Sequence, residues 1–188
     1  MKRIHRGMAL ALSAVLLLLT AAPSAWAAEN TITIETAQDL AELSKNCSLD
    51  SWSQGKTVFL AGDIDLTGTD FRPIPTFGGT FDGQGHTISG LLVTGNGNVQ
   101  GLFRYVQVGG VVQDLSVRGT VSPTDFRDTA GGIVGSNRGQ LLRCTFQGTV
   151  KGESSVGGIA GINEAEGRLI NCTFSGLVEG NLHVGGIA

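Results

Sequence analysis

Motifs that carry chemistry are what this sequence has least of. There is no Gly-x-Ser-x-Gly elbow, so the tight turn that presents a hydrolase serine is excluded. There is no His-Glu-x-x-His, which excludes the two-histidine zinc-protease helix from this stretch. Gly55-Lys56-Thr57 ends like a phosphate loop, but Asp50 stands where that loop needs its first glycine and a strand pattern follows where it needs a helix. Cysteine is sparse, with only Cys47, Cys144 and Cys172. Positive charge is also short: 13 Lys and Arg against 16 Asp and Glu give a net charge of −3, which makes nucleic acid a poor partner. No segment holds a helical period long enough to compete with the strand pattern described below.

Only one long apolar run occurs, residues 8–19, shorter than the ~20 residues a spanning helix needs. Lys2, Arg3 and Arg6 precede it, and Pro23 and the small-residue pattern Ala25-Trp26-Ala27 follow. These features predict a cleaved secretory signal peptide over 1–27, a secreted or surface-associated product, and no membrane span in the mature chain. No cysteine follows the run, which argues against lipid attachment. Removing three basic residues and no acid leaves the mature chain at a formal charge of −6.

What the sequence has in excess is glycine, 29 of 188, arranged in repeats. Gly131, Gly157 and Gly185 open near-identical units spaced 26 and then 28 residues apart. "GVVQDLSVRGTV" from Gly110 overlays "GQLLRCTFQGTV" from Gly139 and "GRLINCTFSGLV" from Gly167. Equivalent apolar places are Leu115, Cys144 and Cys172; Val117, Phe146 and Phe174; and Val121, Val150 and Val178. They alternate with polar residues, the period of a strand. A unit of this size cannot bury its own apolar face, so copies must stack and share a core. Like residues then form ladders at the ~4.8 Å strand spacing. "GLFRYV" from Gly101 overlays "GGIVGS" from Gly131 more loosely.

The "VGGIAG" and "GGIVGSNRG" units, with "FGGTFDGQGHTISGL" over residues 77–91, resemble the GLUG repeat of bacterial surface proteins. The pattern is also similar to the coiled region ahead of the protease domain in some bacterial immunoglobulin A proteases. The resemblance spans roughly residues 55–188. It implies a right-handed parallel β-helix, with adhesion as the associated role, and carries no catalytic residue.

The expected architecture is therefore all-β: a parallel β-helix of about five coils, ~24 Å tall, over 55–188, behind an N-terminal cap over 28–54. In the cap, Thr31 to Ile34 alternates like a strand and Thr36 is placed to N-cap a short helix carrying Leu40 and Leu43. Such a helix would cover the open bore and unpaired edge of the first coil. The final copy stops in mid-repeat at Ala188, from which a C-terminal truncation is expected.

Candidate chemistry is thin. Asp63-x-Asp65-x-Thr67-Gly68 opens like a calcium loop, with Asp70 nearby, but its twelfth position is Ile74 where a bidentate Glu is needed; a solvated strand face is the favoured reading. Asp82 and His86 flank a Gly-Gln-Gly corner without a third group, and Asp82 is expected to bind its own turn amides. Cys144 and Cys172 should be ladder neighbours within disulfide range, although small buried hydrophobes are favoured because Leu115 fills the same slot. Hydroxyl rows such as Ser116, Thr145 and Thr173 could bind glycan, but Arg118 and Gln147 interrupt the adjacent row and ordinary solvated surface is favoured. No catalytic, cofactor-binding or metal-binding residue is assigned.

The leading functional expectation is a non-enzymatic adhesive or structural stalk that binds glycan or a host surface protein. The alternatives are a β-helical polysaccharide lyase or hydrolase, with Asp63, Asp65 or Asp82 as candidate carboxylates, and a spacer for a further module. An enzyme should gather charged side chains into one lateral groove, whereas a stalk should scatter them around the coil.

Overall fold

The computed structural model describes residues 30–124 and 129–188. The expected signal peptide lies outside the described residues. The chain winds through four parallel sheets in turn, and every strand pairs with its equivalent in the next coil. The first sheet stacks Thr31–Ile34, Thr57–Leu60, Thr80–Asp82, Val111–Gln113, Gln140–Leu142 and Arg168–Ile170. The second stacks Ile64–Asp65, Thr87–Val93, Ser116–Val121, Thr145–Lys151 and Thr173–Glu179. The third runs from Val99–Gln100 to His183–Gly185, and the fourth from Ile74–Phe77 to Ala160–Asn163. This is a parallel β-solenoid of about five turns.

Like residues lie over like. Val117, Phe146 and Phe174 are register partners, as are Val121, Val150 and Val178. The Phe146 and Phe174 rings stack at 6.3 Å between centroids with 7° between planes. A second aromatic cluster, Phe77, Phe81 and Phe103, has centroid separations of 5.4 to 6.1 Å. Buried Ile, Val, Leu and Phe line a continuous bore, and full burial of each contributes about 1.5–3 kcal/mol before chain entropy is set against it.

The loose overlay at Gly101 holds at its start and slips by one residue within it. Val99 and Gln100 pair with Thr129 and Ala130, which sets Gly101 opposite Gly131 as expected, whereas Phe103 pairs with Val134. The cause is the corner between the third and fourth sheets: Gln100 and Phe103 are three residues apart, whereas their partners Ala130 and Val134 are four apart. Insertions gather in such corners because only there can length change without breaking a ladder.

Helix α1, Ala37–Asn46, begins as expected at Thr36. The Thr36 side chain accepts from the Asp39 amide at 3.2 Å, and Asp39 Oδ2 accepts from the Thr36 amide at 2.9 Å, a reciprocal capping box. Leu40 and Leu43 enter the same core as Ile34 and Leu60. Ser44 donates its hydroxyl to the Arg72 carbonyl at 2.9 Å, fixing the helix against the coil. In the following loop Cys47 is fully buried, and Ser53 Oγ accepts from the Gly78 amide at 2.9 Å.

Candidate functional site

The carboxylates singled out in the sequence sit at the corners of the coil, each tied to backbone. Ile64 and Leu66 point inward and leave Asp63 and Asp65 on the outer face, as the alternation requires. Asp63 Oδ1 accepts from the Thr87 amide at 2.9 Å and lies 3.4 Å from His86 Nδ1. Asp65 Oδ1 accepts from the Thr67 amide at 2.9 Å. These hydrogen bonds hold both carboxyls below their ordinary pKa, the Thr87 amide first for Asp63 and the Thr67 hydroxyl and amide for Asp65. Asp82 accepts from the Gln84 amide at 2.9 Å and, through its other oxygen, from Gln113 Nε2 at 2.9 Å. The expected turn role of Asp82 is therefore what it performs, and His86 turns to Asp63. Among the described residues no three His, Cys, Asp or Glu side chains converge as a metal site would need.

The charges on the coil pair from rung to rung. Arg143 grips Asp114 through two bonds, Nε to Oδ1 at 2.6 Å and Nη2 to Oδ2 at 2.7 Å. That fork holds the Asp114 carboxyl below its ordinary pKa. Lys151 reaches Glu179 at 2.6 Å, and Arg138 reaches Glu166 at 3.8 Å. Asp114, Arg143 and Asn171 share a further property that the sequence did not announce: all three turn the corner with φ of 51°, 52° and 53°. A bidentate ion pair and an asparagine thus occupy left-handed backbone, where a non-glycine residue costs up to ~1–2 kcal/mol.

A polar ladder runs down the inside corner after the fourth sheet. Asn137 is fully buried and pairs in register with Asn163. Its Nδ2 donates to Asn163 Oδ1 at 2.8 Å and to the Gly139 carbonyl at 3.3 Å, while its Oδ1 accepts from the Gly139 amide at 3.1 Å. Asn163 repeats the motif by donating to the Gly167 carbonyl at 3.0 Å.

Three cations share a concavity beside the cap. A groove of about 1070 Å³ runs between α1 and the coil, lined by Lys45, Arg72 and Arg104 with Asp70 as the acid, and with Leu92 and Pro73 among its apolar walls. Leu92 is 62 % exposed. Arg104 is held by donating Nε to the Val99 carbonyl at 3.0 Å, and it also lines an adjoining hollow of about 720 Å³ with Tyr105 and Arg138. Tyr105 is 41 % exposed and stands over Thr76 and beside Ser136 in register. Sequence reasoning missed this groove because Lys45, Arg72 and Arg104 are far apart in the chain and carry no shared motif. Asp63, Asp65 and Asp82 are not among its lining residues.

Residues 152–178 match the family model for the GLUG motif, the unit whose strands stack here with Phe174 under Phe146. The chain carries a GLUG motif on a parallel β-solenoid. The GLUG-repeat chain is similar to halomucin of Haloquadratum walsbyi, 32% identical over 131 residues that make up 61% of this chain. Its fold is similar to that of a Bacteroides ovatus protein provisionally described as an immunoglobulin A1 protease, with a TM-score of 0.55, 22% identity and 80% of this chain covered. The chain spans 1% of halomucin and 47% of the Bacteroides chain.

Proposed function

We propose that this GLUG-repeat segment serves as a rod within an exported or surface repeat protein, adhesive through its side wall and specific for glycan or a host surface protein. The observation that carries the reading is the distribution of charge. Ion pairs bind rung to rung around the coil, and Asp63, Asp65 and Asp82 are committed to backbone amides, so the polar side chains hold a rod together. Similarity to halomucin and to the fold of the Bacteroides protein supports a surface setting. The groove of Lys45, Arg72 and Arg104 is a concave stretch of the wall, and its cations and exposed Leu92, with Tyr105 in the adjoining hollow, suit an acidic glycan's charges and apolar faces.

The test is an immobilised glycan and host-protein array probed with the purified chain and with a Lys45→Ala, Arg72→Ala, Arg104→Ala triple variant. Retention of a glycan or protein class by the parent, weakened at least tenfold in the variant, supports adhesion through the groove. A parent that retains nothing beyond an unrelated β-helix control refutes the adhesive role and leaves the rod.

The same cluster is the one observation that favours an enzymatic reading, since Lys45, Arg72 and Arg104 beside Asp70 meet the expectation of charges gathered in one lateral groove. A polysaccharide lyase would use the cations to neutralise a uronate carboxyl and Asp70 or a lysine to move the proton. Unsaturated-product absorbance on mixed uronate polysaccharides, abolished by Asp70→Asn or Arg72→Ala, would establish it.

A further inference from the structure

Cys144 and Cys172 meet inside one corner of the coil. Both follow a left-handed corner residue, Arg143 and Asn171, and both precede residues paired in register, Thr145 and Thr173. Consecutive rungs stand ~4.8 Å apart, inside the Cα range of 4.4–6.8 Å that a disulfide tolerates. Their sulfurs point the same way. Cys144 Sγ lies 3.4 Å from the Val112 carbonyl and 3.5 Å from that of Leu142, and Cys172 Sγ lies 3.5 Å from Leu141 O and 3.6 Å from Ile170 O, the equivalent groups one rung on. Cys144 is fully buried, whereas Cys172 is only partly covered and open to a small reagent.

We infer that Cys144 and Cys172 form a cross-rung dithiol site that low-molecular-weight disulfides convert into a covalent bridge between consecutive coils. The pair is asymmetric in the way the reaction needs. Interaction with the neighbouring Cys144 thiol brings Cys172 down to about 6, while the same interaction and burial push Cys144 far up. Cys172 is therefore the thiolate that attacks one sulfur of the external disulfide, breaking its S–S bond and releasing one thiolate. Cys144 then gives its proton to a released thiolate and attacks Cys172 Sγ, expelling the second thiol. Two protein thiols are oxidised to one disulfide, and the external disulfide is reduced to two thiols.

Cys47 supplies an internal reference. It is fully buried, and burial pushes its thiol up to about 12. It should stay unmodified in the folded chain.

The experiment treats the folded chain with oxidised glutathione at pH 7, quenches with acid, alkylates under denaturing conditions and maps peptides by mass. The expected product is a Cys144–Cys172 linked peptide lighter by two hydrogens, with Cys47 fully alkylated after unfolding. The bridge closes a loop of 28 residues and should raise the melting temperature by roughly 7–14 °C, reversed by reductant. In Cys144→Ala the reaction should halt with glutathione retained on Cys172, and in Cys172→Ala no adduct should form. Circular dichroism on both variants confirms that the coil persists. Recovery of wild-type Cys144 and Cys172 as free thiols, or a stable glutathione adduct on wild-type Cys172, overturns the proposal.

Discussion

Asn137→Ala isolates what the buried asparagine ladder contributes. The substitution removes three hydrogen bonds, but they are not equal. The Gly139 carbonyl keeps a second donor, the Arg168 amide at 2.9 Å. Asn163 is exposed, so its released oxygen finds water. The Gly139 amide has neither recourse: it is buried and loses the oxygen that accepted it. One orphaned buried N–H costs about 1–3 kcal/mol, so a loss of about 2 kcal/mol is expected, read as a fall of roughly 4–8 °C in melting temperature for a chain of this size. Asn163→Ala removes the partner from the wet side and should cost under about 1 kcal/mol. Asn137→Asp sharpens the test, because it keeps an acceptor for Gly139 while setting a buried carboxylate against two oxygens. Burial would raise that carboxyl's pKa above the unfolded ~3.9, so the folded form binds the extra proton. The Asp variant should then approach wild type near pH 4 and weaken as pH rises toward neutrality. Paired melts of the three variants at pH 4 and pH 7 decide the matter. If Asn137→Ala melts within about 2 °C of wild type, or no more than Asn163→Ala is lowered, the ladder is not what holds that corner.

Phe146→Ala should cost about 3–5 kcal/mol by opening a cavity in the stacked column, visible as a lower denaturant midpoint. Gly148→Ala should abolish soluble expression, because Gly148 turns at φ 151° and a methyl there would collide with the Gly119 carbonyl. The Asp114–Arg143 fork is present above the ordinary carboxylate pKa and lost as pH falls through the depressed folded value. Melting temperature should consequently drop faster in acid for the wild type than for Asp114→Asn. Iodoacetamide at neutral pH should label Cys172 first and leave Cys47 untouched until the chain unfolds, as peptide mass mapping will show.

Most of the fold was legible because it repeats. A period of 26 to 29 residues with alternating apolar places admits stacking and little else, and by itself it sets Phe146 over Phe174 and Val150 over Val178. The cap was readable too, since a capping box is a local pattern written within four residues, Thr36 to Asp39. The one-residue slip between Gly101 and Phe103 shows where this reading stops. Corner length is free to drift, so register across a corner follows from the ladder and not from counting.

By itself, then, the sequence determined the repeating unit, the residues that face inward and the absence of any familiar catalytic motif, because these are properties of nearest neighbours and of periodicity. Only the tertiary structure decided which distant side chains meet. It gathered Lys45, Arg72 and Arg104 along one groove, locked Arg143 onto Asp114, hid Asn137 behind Asn163 and left Cys172 less covered than Cys144. Those outcomes depend on rotamer, burial and corner geometry, which vary between copies that the sequence spells almost alike.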